Sequence, residues 1–429
     1  MRLPDQGLPP EEVRARLGAY AADDVDWRGG RSWSLVYDSP AWHTALVEEA
    51  AARFAHENAL SHSAFPSTAR FESEVIAMVA SVVAPGAPSY GVFTSGGTES
   101  LMVAVKAYRD ATGRSELVLP VTAHPGYWKA AAYLGLTTRL VPVGPDGLPG
   151  VAELLASTGP DTALVGLSAP CFPFGVVDPV EEVAAACAER GIGVHVDAAM
   201  GGLFLPFLPA AGGPAIRFGT DVPGVTSVSV DLHKYGYGAK GASVVLFAGR
   251  ELRHHAYYVA TGWPGGAYAA SGVVGTRPVG AAAAAWAAVA SLGAAGYREL
   301  VRGVMETARR LQDGMTAAGL TVVGKPPMGV FAVTAEHLDV MAVAGGLQRR
   351  GWWIDTQDDP PALHFVVFPR HAAVADRFLA DLRQAVREAG DGTTAPAQAS
   401  YGVMVRGGSP TEELLREHLD RRFDLGEDR

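Results

Sequence analysis

The chain predicts an α/β protein: a mostly parallel sheet in a large domain, followed by a small C-terminal α+β domain. Three observations carry this. Short, nearly continuous apolar strands alternate with amphipathic helices from about residue 66 to 295, as strands covered on both faces require. After Tyr297 the pattern changes to one long helix, then short strands and helices. Finally, chemically active residues fall just past the ends of apolar strands, where open α/β sheets gather their ligands.

In order, residues 1–65 form an N-terminal arm with a helical pattern over 41–57. Residues 66–297 are expected to make the large domain. Helices are predicted there over 67–84, 101–110 and 179–190, and strands over 91–93, 117–121, 163–168, 193–196 and 226–230. Segment 243–247, just after Lys240-Gly241, reads as a hairpin-like returning strand. The alanine-rich stretch 279–296, punctuated by Gly280 and Gly293, is short for a membrane span and lacks bulky aliphatics, so a buried helix is expected. Residues 298–429 are expected to form the small domain. It has helices over 298–318, 340–349 and 372–387, strands over 320–323, 330–333 and 364–367, a Gly/Thr/Ala/Pro linker over 390–398 and a charged final helix over 410–423.

The 429 residues are 48% hydrophobic and 19% charged, enough for two globular domains. A net charge of −10, without a Lys/Arg run, argues against a nucleic-acid surface. Cys171 and Cys187 are the two cysteines, so neither a disulfide framework nor a metal cluster is expected, and the composition fits a reducing cytoplasm. The polar, proline-broken residues 1–6 do not read as a signal peptide, and no membrane anchor is expected.

Four motifs carry the chemistry. Lys234 sits between His233 and a Tyr-Gly turn, directly after the apolar run 225–230. A lysine on rigid backbone beside other cations loses basicity and becomes a nucleophile, placed to form a Schiff base with pyridoxal phosphate. Asp197 ends the apolar strand 193–196. At a strand end it is either a helix cap or the group that keeps a pyridine nitrogen protonated, and the distance in sequence to Lys234 favours the second. Thr94-Ser95-Gly96-Gly97-Thr98-Glu99-Ser100 leads into a helix, where small residues let backbone N–H groups close on an anion. It is neither a Walker loop nor a dinucleotide fingerprint. His124, just past strand 117–121, is placed to stack on a cofactor ring.

With these motifs in place, the chain resembles the fold-type I pyridoxal-phosphate enzymes of the group II decarboxylase superfamily, and among them the sphingosine-1-phosphate lyases. The resemblance runs from about residue 31 to 425. Phe65-Pro66, the 94–100 turn, Ala107-Tyr108-Arg109-Asp110, Ser168-Ala169-Pro170-Cys171, His195-Val196-Asp197, the 231–241 block, Trp263-Pro264-Gly265-Gly266, Gly275-Thr276-Arg277-Pro278 and, more loosely, Tyr401-Gly402-Val403-Met404 carry it.

The resemblance implies Lys234 as the Schiff-base lysine, Asp197 as the pyridinium partner and His124 as the stacking ring. It sets Gly97 and Thr98 at the cofactor phosphate, with His233, Gly275 and Thr276 also at the cofactor. Tyr37 and Lys240 become further active-site groups, some reaching across an obligate homodimer. The implied substrate is a small amine or amino acid. The expected reaction is retro-aldol cleavage of a β-hydroxy amine to an aldehyde and an amine, with Tyr37, Lys240 or the cofactor phosphate as proton acceptor. The alternative is amino-acid decarboxylation, for which Arg277 is the candidate carboxylate ligand.

Two positions depart from the lyase pattern. Ser61 stands where those lyases have histidine, and Ala270 where they have serine. Both help hold the substrate phosphate there. Losing a cationic donor and a hydroxyl weakens a dianion site, even with His62 adjacent, because charge-assisted hydrogen bonds are the strong ones.

Overall fold

The computed structural model describes residues 3–392, 397 and 411–423. Its central sheet contains β1 (Tyr90–Thr94), β2 (Glu116–Pro120), β3 (Thr137–Val141), β4 (Thr162–Ser168), β5 (Gly193–Asp197), β6 (Val225–Asp231) and β7 (Ser243–Phe247), in the order β1-β7-β6-β5-β4-β2-β3. Pairings from β3 to β6 are parallel, while β7 runs antiparallel to both β6 and β1. The mostly parallel sheet and the returning strand after Lys234 are therefore present. The reason is compositional: β4 and β7 are buried at every position, so helices must cover both faces.

Sequence periodicity misses several elements. The helix expected from residue 101 starts at Gly97, so the glycine turn is itself its first turn. The helix Ala41–Arg53 stops before 57, where Ala59 N–H bonds Arg277 O and Val279 N–H bonds Glu57 O. A two-stranded hairpin, β8 (Tyr258–Ala260) with β9 (Tyr268–Ala270), was not expected. Its turn holds Trp263-Pro264-Gly265-Gly266.

The second sheet runs β10-β11-β13-β12: β10 (Thr321–Val322), β11 (Val330–Thr334), β12 (Asp355–Asp358) and β13 (Pro361–Val366). Strand β12, Asp-Thr-Gln-Asp, lacks an apolar pattern; pairing with the buried β13 makes it a strand. The N-terminal segment reaches this sheet, since Val366 N–H bonds Trp33 O and Trp33 is fully buried against Phe365 and Phe378.

The alanine-rich stretch and the following helix form one element, Gly280–Ala317, broken at Gly293 (φ 54°). It is long and apolar enough to cross a membrane. However, Ala282–Ala285, Ala287 and Ala288 are buried, and it packs against the helices Ala41–Arg53 and Pro66–Val83, as a core helix does. Small alanine side chains permit that close approach. The charged helix is present over Glu412–Phe423. Tyr401-Gly402-Val403-Met404 and most of the 390–398 linker lie outside the described residues.

Candidate active site

The site lies at the C-terminal edge of the central sheet, where β5 and β6 each deliver an aspartate. β6 ends at Asp231, and the chain turns through 232–238 before pairing back in β7. That turn is held by Gly238 N–H to Leu232 O (2.8 Å), Leu232 N–H to Ala242 O (3.0 Å) and Tyr297 OH to Gly236 O (3.1 Å). Tyr237 sits in left-handed backbone (φ 57°) within it, a strain that only tight surroundings maintain. Lys234 rides on this turn. Its Nζ is 3.2 Å from Asp231 Oδ2, and His233 Nε2 is 3.4 Å from the same oxygen. Burial pushes the Asp231 carboxyl up, but the charges of Lys234 and His233 outweigh it, leaving the group below its usual range.

Lys240 lies on the far side of the turn, with Nζ 5.3 Å from the centre of the Tyr37 ring. Tyr37 in turn packs edge-on against Tyr235 at 5.3 Å. Burial and then the neighbouring Lys234 charge depress Lys240 to about 8, against the pull of Asp231. Both expected active-site groups are therefore grouped with the lysine turn.

Asp197 Oδ1 accepts from Ala199 N–H (3.0 Å) and from the Ser229 hydroxyl (3.3 Å). Behind it runs a buried polar chain that the sequence does not announce. Ser229 Oγ is 3.2 Å from His195 Nε2, His195 Nδ1 is 2.6 Å from Ser227 Oγ, and Ser227 Oγ is 2.7 Å from Tyr108 OH. Burial holds His195 near 3, hence neutral, so the chain orients Asp197 without adding charge. His124 Nδ1 accepts from Gly126 N–H (3.0 Å), which leaves the proton on Nε2. Burial lowers this histidine first, with Asp197 opposing and Lys234 reinforcing, which places His124 between those two groups electrostatically.

The glycine turn closes the site. A methyl group at Gly97 would come 3.0 Å from Asp231 Oδ2, and one at Gly96, where φ is +155°, 3.2 Å from the His233 ring. Only glycine lets the helix N-terminus come so near the lysine turn, and a helix N-terminus is an anion site. Thr98 is the next residue of that first turn. Glu99 ties this turn to the loop carrying Gly275 and Thr276. One oxygen accepts from Ser95 N–H (2.6 Å); the other accepts from Val273 N–H (2.6 Å) and Val274 N–H (3.2 Å). Glu99 belongs to the glycine-turn motif, and a carboxylate in a helix's first turn is the sequence signal for such a tie. An anion cradle, a lysine at its mouth, an aspartate at a strand end and a histidine between them fit pyridoxal phosphate.

Ala270 and the two neighbours of Ser61 meet elsewhere. Leu60, His62, Ala270, Ser271 and Arg277 line one cavity of about 370 Å³. Arg277 Nη2 is 2.5 Å from Glu72 Oε1, with both side chains largely buried, and His62 is 3.8 Å from the other oxygen. Arg277 is thus already engaged by a carboxylate of its own chain.

A model of the Aminotransferase class-V family matches residues 43–206. The sphingosine-1-phosphate lyase of Dictyostelium discoideum is 38% identical over 90% of this chain and 74% of its own length. A solved sphingosine-1-phosphate lyase from Burkholderia pseudomallei superposes with a TM-score of 0.90 at 32% identity, covering 99% of this chain and 98% of the other. A probable L-tyrosine/L-aspartate decarboxylase of Methanocella arvoryzae is 30% identical over 89% of this chain and its whole length. The lysine turn, the strand-end aspartates and the glycine cradle thus stand on the fold of proteins that share about a third of the sequence: the chain belongs to the sphingosine-1-phosphate lyase family and is a pyridoxal-phosphate-dependent carbon–carbon lyase.

Proposed function

We propose that this enzyme cleaves the Cα–Cβ bond of a 2-amino alcohol, releasing an aldehyde and an amine, with Lys240 as the group that takes the hydroxyl proton. The observation that carries this is Lys240 itself, buried beside Lys234 and Tyr37 and depressed to about 8. An amine that is partly neutral near physiological pH is the base that a retro-aldol step needs and that a decarboxylation does not. Tyr37 bounds Lys240 with an aromatic face and steadies its position.

Lys234 would hold the cofactor covalently, Asp197 would keep its ring nitrogen protonated, and His124 would cover one ring face. Gly97, Thr98 and the Gly275-Thr276 loop would bind its phosphate, with His233 beside it. When bound, pyridoxal phosphate supplies the electron sink for the pair left at Cα. His233 and Lys234, which share the Asp231 carboxylate, would be the proton donors for that carbon.

The decarboxylase alternative loses its candidate ligand, since Arg277 is paired with Glu72. The relatives named for sphingosine-1-phosphate make phosphorylated long-chain bases the first substrates to test. Ser61 and Ala270 argue for weaker use of the phosphate. We further propose an obligate homodimer working in the cytoplasm. The exposed loop 261–266 supports the first, and the unpaired, buried Cys171 and Cys187 support the second.

The test is aldehyde release from dihydrosphingosine 1-phosphate and from its unphosphorylated form by the cofactor-loaded enzyme. Aldehyde that disappears in Lys234→Ala and Lys240→Met supports the reading. Carbon dioxide from amino acids, without aldehyde, sinks it.

A further inference from the structure

A cavity of about 350 Å³ opens beside His124, between the end of β2 and the edge strand β12. We infer that it is a specificity pocket for the far end of the substrate, and that it takes a hydrogen-bond-donating group, an ammonium or hydroxyl, in preference to a bare alkyl end or an anion. The inference rests on the lyase reading above, in which His124 covers one face of the cofactor ring.

Two residues of its wall keep an acceptor that no donor of the protein satisfies. His364 is fully buried, and its Nε2 is 2.8 Å from Phe172 O. A carbonyl only accepts, so Nε2 carries the hydrogen; burial holds the ring near 4 and hence neutral. Nδ1 is therefore a bare acceptor, and it has no hydrogen-bond partner. Gln357 repeats the arrangement: its amide nitrogen donates to Pro173 O (2.6 Å), leaving Oε1 a buried acceptor with no partner. The buried hydroxyl of Thr122, from the other wall, also lacks one. Three residues of one cavity lining, from three chain segments, each keep a buried polar atom without a partner, which is uncommon because buried polar groups are normally paired.

Charge points the same way. Asp355, Asp358 and Asp359 line the cavity, and no lysine or arginine does. Such a wall repels a phosphate or carboxylate and attracts a cation. Trp128, 40% exposed on the cavity, adds a ring face suited to an ammonium. Pro125, Phe172 and Pro173 supply apolar surface for the chain leading to that group. The cavity of His62 and Arg277 is a different one, and its cations are already faced by Glu72.

The test uses three amines that share the reacting end and differ at the other: hexamethylenediamine, hexylamine and aminocaproate. Each is titrated calorimetrically into the cofactor-loaded enzyme. The diamine should bind about tenfold tighter than hexylamine, the equivalent of one hydrogen bond to a charged group, with aminocaproate weakest. The preference should fall toward unity in Gln357→Leu and in Asp358→Asn, the latter an exposed change that spares the core. Hexylamine binding as tightly as the diamine, or a preference that survives both variants, overturns the inference. Carbon dioxide from amino acids, with no aldehyde from an amino alcohol, would overturn the lyase reading itself, and this inference with it.

Discussion

Asp231 Oδ2 stands 3.2 Å from Nζ of Lys234, three residues further along the chain, on a carboxylate that is almost completely buried. Its other oxygen has no hydrogen-bond partner, so the lysine and His233 are its principal compensation. Asp231→Asn should destabilise the cofactor-free protein by about 3 kcal/mol, the usual result of breaking a buried pair from one side. The carboxyl is depressed when folded. Its stabilising contribution is therefore present above the ordinary carboxylate pKa and lost as pH falls through the depressed value. Melting temperatures measured across the acid range should show this limb in the wild type and not in the variant.

Lys240, depressed to about 8, sets a second pH dependence. Its neutral form grows as pH rises, so kcat should climb with an inflection near about 8 and then level. Lys240→Met should lose that limb together with most of the rate, typically a factor of about 10² to 10⁴ for a general base. An unchanged pH profile in the variant assigns the proton transfer to another group.

Glu99 clamps the cofactor turn to the 273–274 loop with three hydrogen bonds to one carboxylate. Glu99→Ala frees both segments. Affinity for pyridoxal phosphate should fall by about tenfold to a hundredfold, the loss of one or two charge-assisted bonds. Absorbance titration of the cofactor-free protein measures it, and Glu99→Asp should recover part of the loss.

The cavity that holds His62 and Arg277 is lined by Ala270, at the place of the lyase serine, and by Leu60 and His62 on either side of Ser61, at the place of the lyase histidine. Restoring them together, Ser61→His with Ala270→Ser, should lower KM for a phosphorylated amino alcohol by roughly tenfold. KM for the unphosphorylated form should not move. Equal changes for both substrates would show that these positions do not face the phosphate.

Legibility divides along a physical line. Lys234, Asp197 and the glycine turn were readable because each chemistry leaves a local trace: an apolar strand, then the functional residue, then small residues. Asp231 was visible in the same motif, yet nothing local shows that its carboxylate faces the lysine. The His195–Ser227–Tyr108 chain joins three separate segments, and only the pairing of β5 with β6 aligns His195 with Ser227. Arg277 reads as a candidate carboxylate ligand, and only the fold sets it against Glu72, 205 residues away.

The sequence by itself determined the parallel sheet, the cofactor class and the covalent lysine, because strand burial and backbone-shaped motifs are encoded within a few residues of one another. Tertiary structure decided which carboxylate faces Lys234, that Arg277 is occupied, and that His364, Gln357 and Thr122 share one cavity. Those depend on strand register and on the packing of the second sheet against the first, and side chains far apart in sequence acquire an electrostatic relationship only when packing brings them within a few ångströms in a low dielectric.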